Sequence, residues 1–148
     1  MTSAHSLVVP VGRRCAFCAY LAGQRSYTVI RRTDQIAVLV TREQRGSPHL
    51  LVVPLRHMET ILDLNDREAG AVIVGIREVA AAIDKAYQRP GIAVWQNNGV
   101  AAHQAIPHVH FHVAGTLDGG GTEWGDVDEL SIEETGSIAD QISPHLAI

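Results

Sequence analysis

His108-Val109-His110-Phe111-His112-Val113 sets three histidines at two-residue spacing, each followed by an apolar residue. In a β-strand, alternate side chains leave on opposite faces. His108, His110 and His112 then form a row on one face, and Val109, Phe111 and Val113 point into a core. Each imidazole titrates near neutrality and can serve as base, nucleophile or metal ligand. Adjacent imidazoles gain little from packing, so the row marks chemistry rather than architecture. Extending the apolar pattern outward predicts one strand from Pro107 to Ala114.

The flanking sequence reads as an α+β chain. Residues 15–23 suit a short helix or turn around Cys15 and Cys18, stopped by Gly23. Tyr27 to Arg31 and Gln35 to Thr41 alternate and carry β-branched residues, which predicts two antiparallel strands turning at Thr33-Asp34. His49 to Val53 is a continuous apolar run ended by Pro54, hence a buried strand. Asn65 with Glu68 three residues on is a capping-box pattern. The helix it starts runs to Tyr87, with Ala69, Val72, Ile73, Ile76, Val79, Ala80, Ile83 and Tyr87 as one apolar stripe, and Arg89-Pro90-Gly91 ends it. Ile92 to Gln96 reads as a further strand, and Ser131 caps a helix to Ile142. The Asp118 to Thr122 stretch is glycine-rich, with no regular preference, and is expected to be mobile. The organisation expected is an N-terminal arm over residues 1–14, one domain over 15–116, and a Gly-rich loop and C-terminal tail over 117–148.

Composition narrows the function classes. The 148 residues suit one domain, and 46% hydrophobic content supplies a core. No apolar run approaches the ~20 residues of a membrane span. The first ten residues offer neither a basic n-region nor an adequate apolar h-region, so the expectation is a cytoplasmic protein. Net charge is −4 with no basic block, which argues against a dedicated nucleic-acid surface but not against a small nucleotide. Two cysteines at Cys-x-x-Cys spacing are not a disulfide framework; they suggest metal or redox use.

The ordered set of motifs is more specific than any one of them. Asn97-Asn98-Gly99, then Gln104-Ala-Ile-Pro-His108-Val-His110-Phe-His112-Val, resembles the signature of the histidine triad (HIT) superfamily. Cys15-Ala-Phe-Cys18 is similar to the N-terminal Cys-x-x-Cys of its Hint-like branch, and His49-Leu-Leu-Val-Val-Pro54-Leu-Arg-His57 to the family's His-strand-Pro-x-x-His segment. The order and spacings match over about residues 15 to 115. The resemblance implies a HIT-like α+β fold, with an antiparallel sheet of about five strands and one long helix.

It also implies an enzyme acting at the α-phosphate of a nucleotide conjugate: a phosphoramidate, an adenylate or a dinucleoside polyphosphate. His110 matches the nucleophile that forms a nucleotidyl-histidine, His112 a hydrogen-bond donor beside the phosphate, and His49 the residue that orients His112. Asn97 matches an amide near the leaving group. Backbone amides from Gly99 to Ala105 are candidate donors to the phosphoryl oxygens, with Gln104 bracing that loop. The resemblance further assigns Cys15, Cys18, His57 and His108 to a closed structural zinc site.

Three positions depart from the family pattern. Ala114-Gly115-Thr116 follows the triad where an apolar residue, Pro and often Arg are usual. Ala105 replaces a common Ser or Thr. Thr41 stands where an Asp commonly holds the ribose, with Glu43 as a possible substitute. These departures leave an alternative open: a catalytically weak, nucleotide-binding regulatory dimer with a structural zinc. The resemblance implies a homodimer in either case. Gly70, Ala71, Val74 and Gly75 form a second small apolar face on the long helix, and the strand near Ile92 is an expected sheet edge.

Overall fold

The computed structural model describes residues 5–12 and 14–148. Of the expected arm over residues 1–14, residues 1–4 and 13 therefore lie outside the described residues. Five strands, β1 (Thr28–Arg32), β2 (Ile36–Val40), β3 (His49–Pro54), β4 (Ile92–Trp95) and β5 (Phe111–Gly115), pair antiparallel in the order β1-β2-β3-β5-β4. Three helices accompany them: α1 (Ala16–Leu21), α2 (Asp66–Tyr87) and α3 (Ile132–Ile142). This is the α+β arrangement that the alternation and capping patterns predict.

Strand alternation sorts the side chains into two layers. Ile36, Val38, Val40, Leu50, Val52, Val109, Phe111 and Val113 face α2 and α3 in the larger cluster. Ala37, Leu39, Leu51 and Val53 face the other way, against Phe17 of α1. His49 and His112 have the parity of this second face. The central strands β2 and β3 are buried on both faces, which explains their unbroken apolar sequence.

Helix α2 begins as its sequence requires. The Asn65 side chain accepts from the Glu68 N–H at 2.8 Å, and the Glu68 carboxylate accepts from the Asn65 N–H at 3.1 Å. Arg56 also binds Glu68, at 2.7 Å, and this hydrogen bond holds the Glu68 carboxyl below the usual range. The helix ends at Gln88, which takes a left-handed conformation with φ 51°.

The predicted face of α2 is corrected at four residues: Ala69 and Ile73 of the expected stripe are exposed, Ile73 by 65%, and Gly75 and Ala82, outside it, are buried. The core face is centred on Val72, Ile76, Val79 and Ile83, and one residue's ~100° rotation carries Ile73 off it. Gly75 lets the helix close on the sheet: a Cβ there would collide with the Ile36 side chain.

The histidine strand is shorter than Pro107 to Ala114. Strand β5 starts at Phe111, and the β3–β5 ladder ends at Val52–Phe111. Before it, the Val109 N–H donates to the Met58 carbonyl at 2.7 Å, and the Pro54 carbonyl faces the His108 ring at 2.9 Å. Pro54 at the end of β3 and Met58 beyond it hold residues 108 and 109 by these contacts, and the ladder stops short of them.

Helix α3 docks on the β1 side, where the Thr28 and Thr135 hydroxyls meet at 2.7 Å and Arg31 donates to the Ser143 carbonyl at 3.2 Å. The glycine run before it forms a closed turn, with the Leu117 N–H donating to the Gly121 carbonyl at 3.0 Å. Residues 123–130 then lie along the loop after β2. The Arg45 guanidinium donates to the Gly125 carbonyl at 2.6 Å, and Arg42 donates to the Leu130 carbonyl at 2.7 Å. Among the described residues, no helix is long and apolar enough to cross a membrane.

Candidate functional site

The three histidines share one side as predicted, but they do not stand out in solvent. His108 is fully buried, His110 is 8% exposed and His112 is half-buried. Phe17 covers the row, its ring 5.7 Å from that of His108 and 4.9 Å from that of His110. Strand pairing places only His112, opposite Leu51 and Trp95; His108 and His110 precede the strand, and α1 closes over these two.

Each ring is fixed through one nitrogen. Nδ1 of His110 lies 2.7 Å from the His108 carbonyl. A carbonyl only accepts, so neutral His110 carries its proton on Nδ1 and leaves Nε2 as a bare lone pair. Burial pushes the His110 pKa below 6.5, which keeps that lone pair free.

Nδ1 of His112 lies 2.9 Å from Nε2 of His49 on the neighbouring strand. His49 Nδ1 has the Glu43 carbonyl at 3.0 Å and the Arg45 N–H at 3.2 Å. Proton donation by Arg45 places a proton on Nε2 of both His49 and His112. Donation to Glu43 reverses both tautomers. Burial lowers His49 to about 4 and His112 to about 2, so neither carries charge at neutral pH. His112 Nε2 has no hydrogen-bond partner among the described residues.

The loop before the triad is held largely by itself. Gln104 accepts from the Gly99 N–H at 2.7 Å and donates to the Glu59 and Ile106 carbonyls at 2.7 and 2.9 Å, the bracing role expected of it. Most of the expected phosphate donors are already engaged. The amides of Gly99, Val100, Ala102, His103 and Gln104 all bond within the protein. The Ala105 N–H makes no hydrogen bond among the described residues, and neither does the Asn97 side chain. Asn98 has a structural role, accepting from the Ile61 N–H at 2.8 Å.

At the expected ribose position the Thr41 hydroxyl is turned inward, accepting from the Glu43 N–H at 3.2 Å. The Glu43 carboxylate is exposed, 3.5 Å from Arg45; its backbone carbonyl, not its carboxylate, reaches His49. Glu43 as placed does not reproduce a buried ribose-binding carboxylate.

Cys15, Cys18, His57 and His108 converge, with their ligand atoms all within 4.8 Å of one another. Cys15 Sγ is 3.3 Å from His108 Nδ1, Cys18 Sγ is 3.6 Å from it, and Cys18 Sγ is 3.4 Å from His57 Nδ1. Tetrahedral zinc with thiolate and imidazole ligands requires edges of about 3.3–3.8 Å. The His108 Nε2–H donates to the Pro54 carbonyl, which bares Nδ1 toward the cluster, as metal-binding histidines require. Burial and the neighbouring Cys15 raise the Cys18 thiol to about 11. A cation is what would draw both thiols into the thiolate form. The residues fit zinc.

Three contributors were not picked out from the sequence. Phe17 sits between the cysteines, and its ring lids the row. The Arg45 amide meets His49. Trp95 of β4 lies face to face with His112, ring centroids 4.6 Å apart and planes 3° from parallel. A tryptophan two residues before Asn97 was the available signal; it reads equally well as an ordinary strand residue.

A family model described as HIT domain matches residues 22–118, more than half of the chain. The chain belongs to the HIT domain family. The match begins after α1, so Cys15 and Cys18 lie outside it. Among HIT relatives, the adenosine 5'-monophosphoramidase hnt1 of Schizosaccharomyces pombe is 27% identical over 132 residues, covering 87% of this chain and 96% of that one. A crystal structure of a HIT-like protein from Bartonella henselae superposes with a TM-score of 0.83 at 23% identity, over 92% of this chain and 98% of that one. A zinc-bound histidine triad protein from Mycobacterium smegmatis superposes with a TM-score of 0.75 at 21% identity, over 88% and 94% of the two chains. The HIT fold assignment follows, and the family includes named nucleotide hydrolases.

Proposed function

We propose that this HIT protein is a nucleotide hydrolase or transferase acting at the α-phosphate of a nucleotide conjugate. The observation that carries the reading is the 2.7 Å contact of His110 Nδ1 with the His108 carbonyl, which leaves Nε2 aimed as a nucleophile with no proton to lose. Nε2 forms a bond to phosphorus as the bond to the leaving atom breaks. The leaving atom departs as an amine nitrogen that takes up one proton from solvent, or as the oxygen of a carboxylate or phosphate anion that needs none. In the tautomer set by the Arg45 amide, the His112 Nε2–H donates a hydrogen bond to that atom. The Ala105 N–H is available to a phosphoryl oxygen. Water then attacks the nucleotidyl-histidine, releasing the nucleoside monophosphate, one proton and the neutral imidazole.

The experiment is incubation with adenosine phosphoramidate, an aminoacyl adenylate and diadenosine polyphosphates, read by product formation and intact mass. The expected result is release of adenosine monophosphate with a nucleotidyl adduct on the wild-type chain. Tight binding without product or adduct instead supports the second reading, a nucleotide-binding regulatory dimer. The inward-turned Thr41 hydroxyl and the methyl of Ala105 favour that reading to a degree, because the first leaves the ribose hydroxyls without a carboxylate acceptor and the second removes a hydroxyl donor to phosphate.

We further propose one structural zinc held by Cys15, Cys18, His57 and His108. The convergent ligand atoms and the zinc-bound relative support it. The ion would supply a tetrahedral cross-link between α1, the segment after β3 and the triad approach. A homodimer and a cytoplasmic location complete the reading. For the dimer, β4 is a sheet edge, and Ile92, Val94, Ile73 and Val74 are exposed on and beside it. Two free thiols suit a reducing compartment.

A further inference from the structure

We infer that Trp95 is a positioning residue for the reaction, holding the plane of the His112 imidazole. The inference rests on the nucleotidyl-transfer reading above. Trp95 and His112 are register partners on β4 and β5, so their side chains leave the sheet side by side. Their rings stack at 4.6 Å with planes 3° apart, and the His49 ring lies 5.0 Å from the indole at 42°. Nothing in strand pairing alone demands such a stack. It occurs on the strand at the edge of the sheet, where a large aromatic is otherwise a liability.

The stack supplies a constraint that the hydrogen bond lacks. The 2.9 Å contact with His49 fixes Nδ1 of His112 but leaves the ring free to rotate about the N···N line. Rotation about that line swings Nε2, the atom that meets the leaving group. A flat indole face in van der Waals contact with one side of the imidazole removes the rotation. The hydrogen bond and the stack together determine where the Nε2–H points. A donor of this kind must be held within about 10–20° to be useful. Hydrogen-bond support to a departing atom matters most when that atom is strongly basic and least when it leaves readily as an anion.

The test uses two adenosine monophosphate derivatives with different leaving groups: the phosphoramidate, whose amine must be protonated to leave, and the p-nitrophenyl ester, whose phenolate need not be. Trp95→Leu is expected to lower kcat on the phosphoramidate by about tenfold or more, with KM changed less than about twofold. On the nitrophenyl ester its kcat should stay within about twofold of wild type. Trp95→Phe, which keeps a flat face, should recover most of the loss. If Trp95→Leu does not fold, Trp95→Met takes its place, with similar reach and no flat face. Equal losses on both substrates, no loss on either, or no recovery with phenylalanine would overturn the inference. Wild-type protein that releases no monophosphate from either substrate overturns the hydrolase reading along with it. An active wild type beside an unimpaired Trp95→Leu overturns this inference alone.

Discussion

Nε2 of His49 and Nδ1 of His112 face each other at 2.9 Å across β3 and β5, and one proton must lie between them. A second proton on either ring would set two N–H groups against each other or place a charge in the burial of both. The nearby Arg45 and His110 add to the penalty. The pair is therefore neutral in the folded chain and ordinary in the unfolded one.

Acid should destabilise the protein through this pair. The folded values, about 4 for His49 and about 2 for His112, lie below the unfolded 6.5, so the unfolded chain binds more protons below pH 6.5. Stability from the pair is complete above pH 6.5 and falls as pH drops toward 4, by up to about 1.4 kcal/mol per pH unit per histidine. Urea midpoints between pH 7 and 4.5 measure the slope. His49→Asn should be less stable at pH 7 yet show a shallower slope; a slope equal to wild type contradicts the account.

His110→Ala should leave the fold intact and abolish adduct formation, lowering turnover by at least ~10³-fold. The substitution opens a small space under Phe17 and leaves the His108 carbonyl without the Nδ1–H it accepts, a cost of about 1–3 kcal/mol that the fold can bear. Circular dichroism establishes the fold and intact mass the adduct. Wild-type turnover in this variant would remove His110 from the mechanism.

Protein purified without chelator should carry one zinc per chain by elemental analysis. Cys15→Ser or His57→Ala should release it and cost about 3 kcal/mol or more, roughly 6–12 °C in Tm. Turnover below the melting range should change only a few-fold, because the site has four protein ligands and no open position. Metal-free protein with wild-type thermal stability would refute the assignment.

The wild-type chain should sediment at about twice its 16.0 kDa, and Val94→Glu near the single-chain mass. Helix α3 docks at the far side of the sheet, on β1, and leaves Val94 51% exposed and Ile73 65% exposed. A charge at the centre of that apolar patch opposes its burial against a second copy. Wild-type protein that sediments as one chain at micromolar concentration would end the proposal.

Local rules carried most of the fold. Asn65 with Glu68 and Ser131 with Glu134 start helices α2 and α3 by side-chain contacts within three residues, and those are readable one residue at a time. Alternation likewise fixed which residues of β2, β3 and β5 share a layer. What escaped the sequence depended on distant partners. The N-terminal limit of β5 is set by Met58 and Pro54, and the turning of Ile73 to solvent by the seat of Gly75 on Ile36. The site divides in the same way. The histidines and cysteines announce themselves by spacing. The engagement of the Gly99 and Val100 amides, the Arg45 contact with His49 and the stack of Trp95 arise only when separate segments meet.

The 2.7 Å contact between Thr28 and Thr135 joins residues 107 apart in sequence. It bears on how the chain acquires its shape during synthesis. The meander β1-β2-β3 can pair as soon as it emerges, but its helix-side rows stay uncovered until residues 66–87 and then 132–142 have followed. Strand β5 must also insert between β3 and β4, which were made before it. Long-range closure of this kind slows folding and leaves apolar strands open in the interval. A nascent chain stalled before residue 111 would present the free edge of β3, and that is the stage at which a holding chaperone would find most to bind.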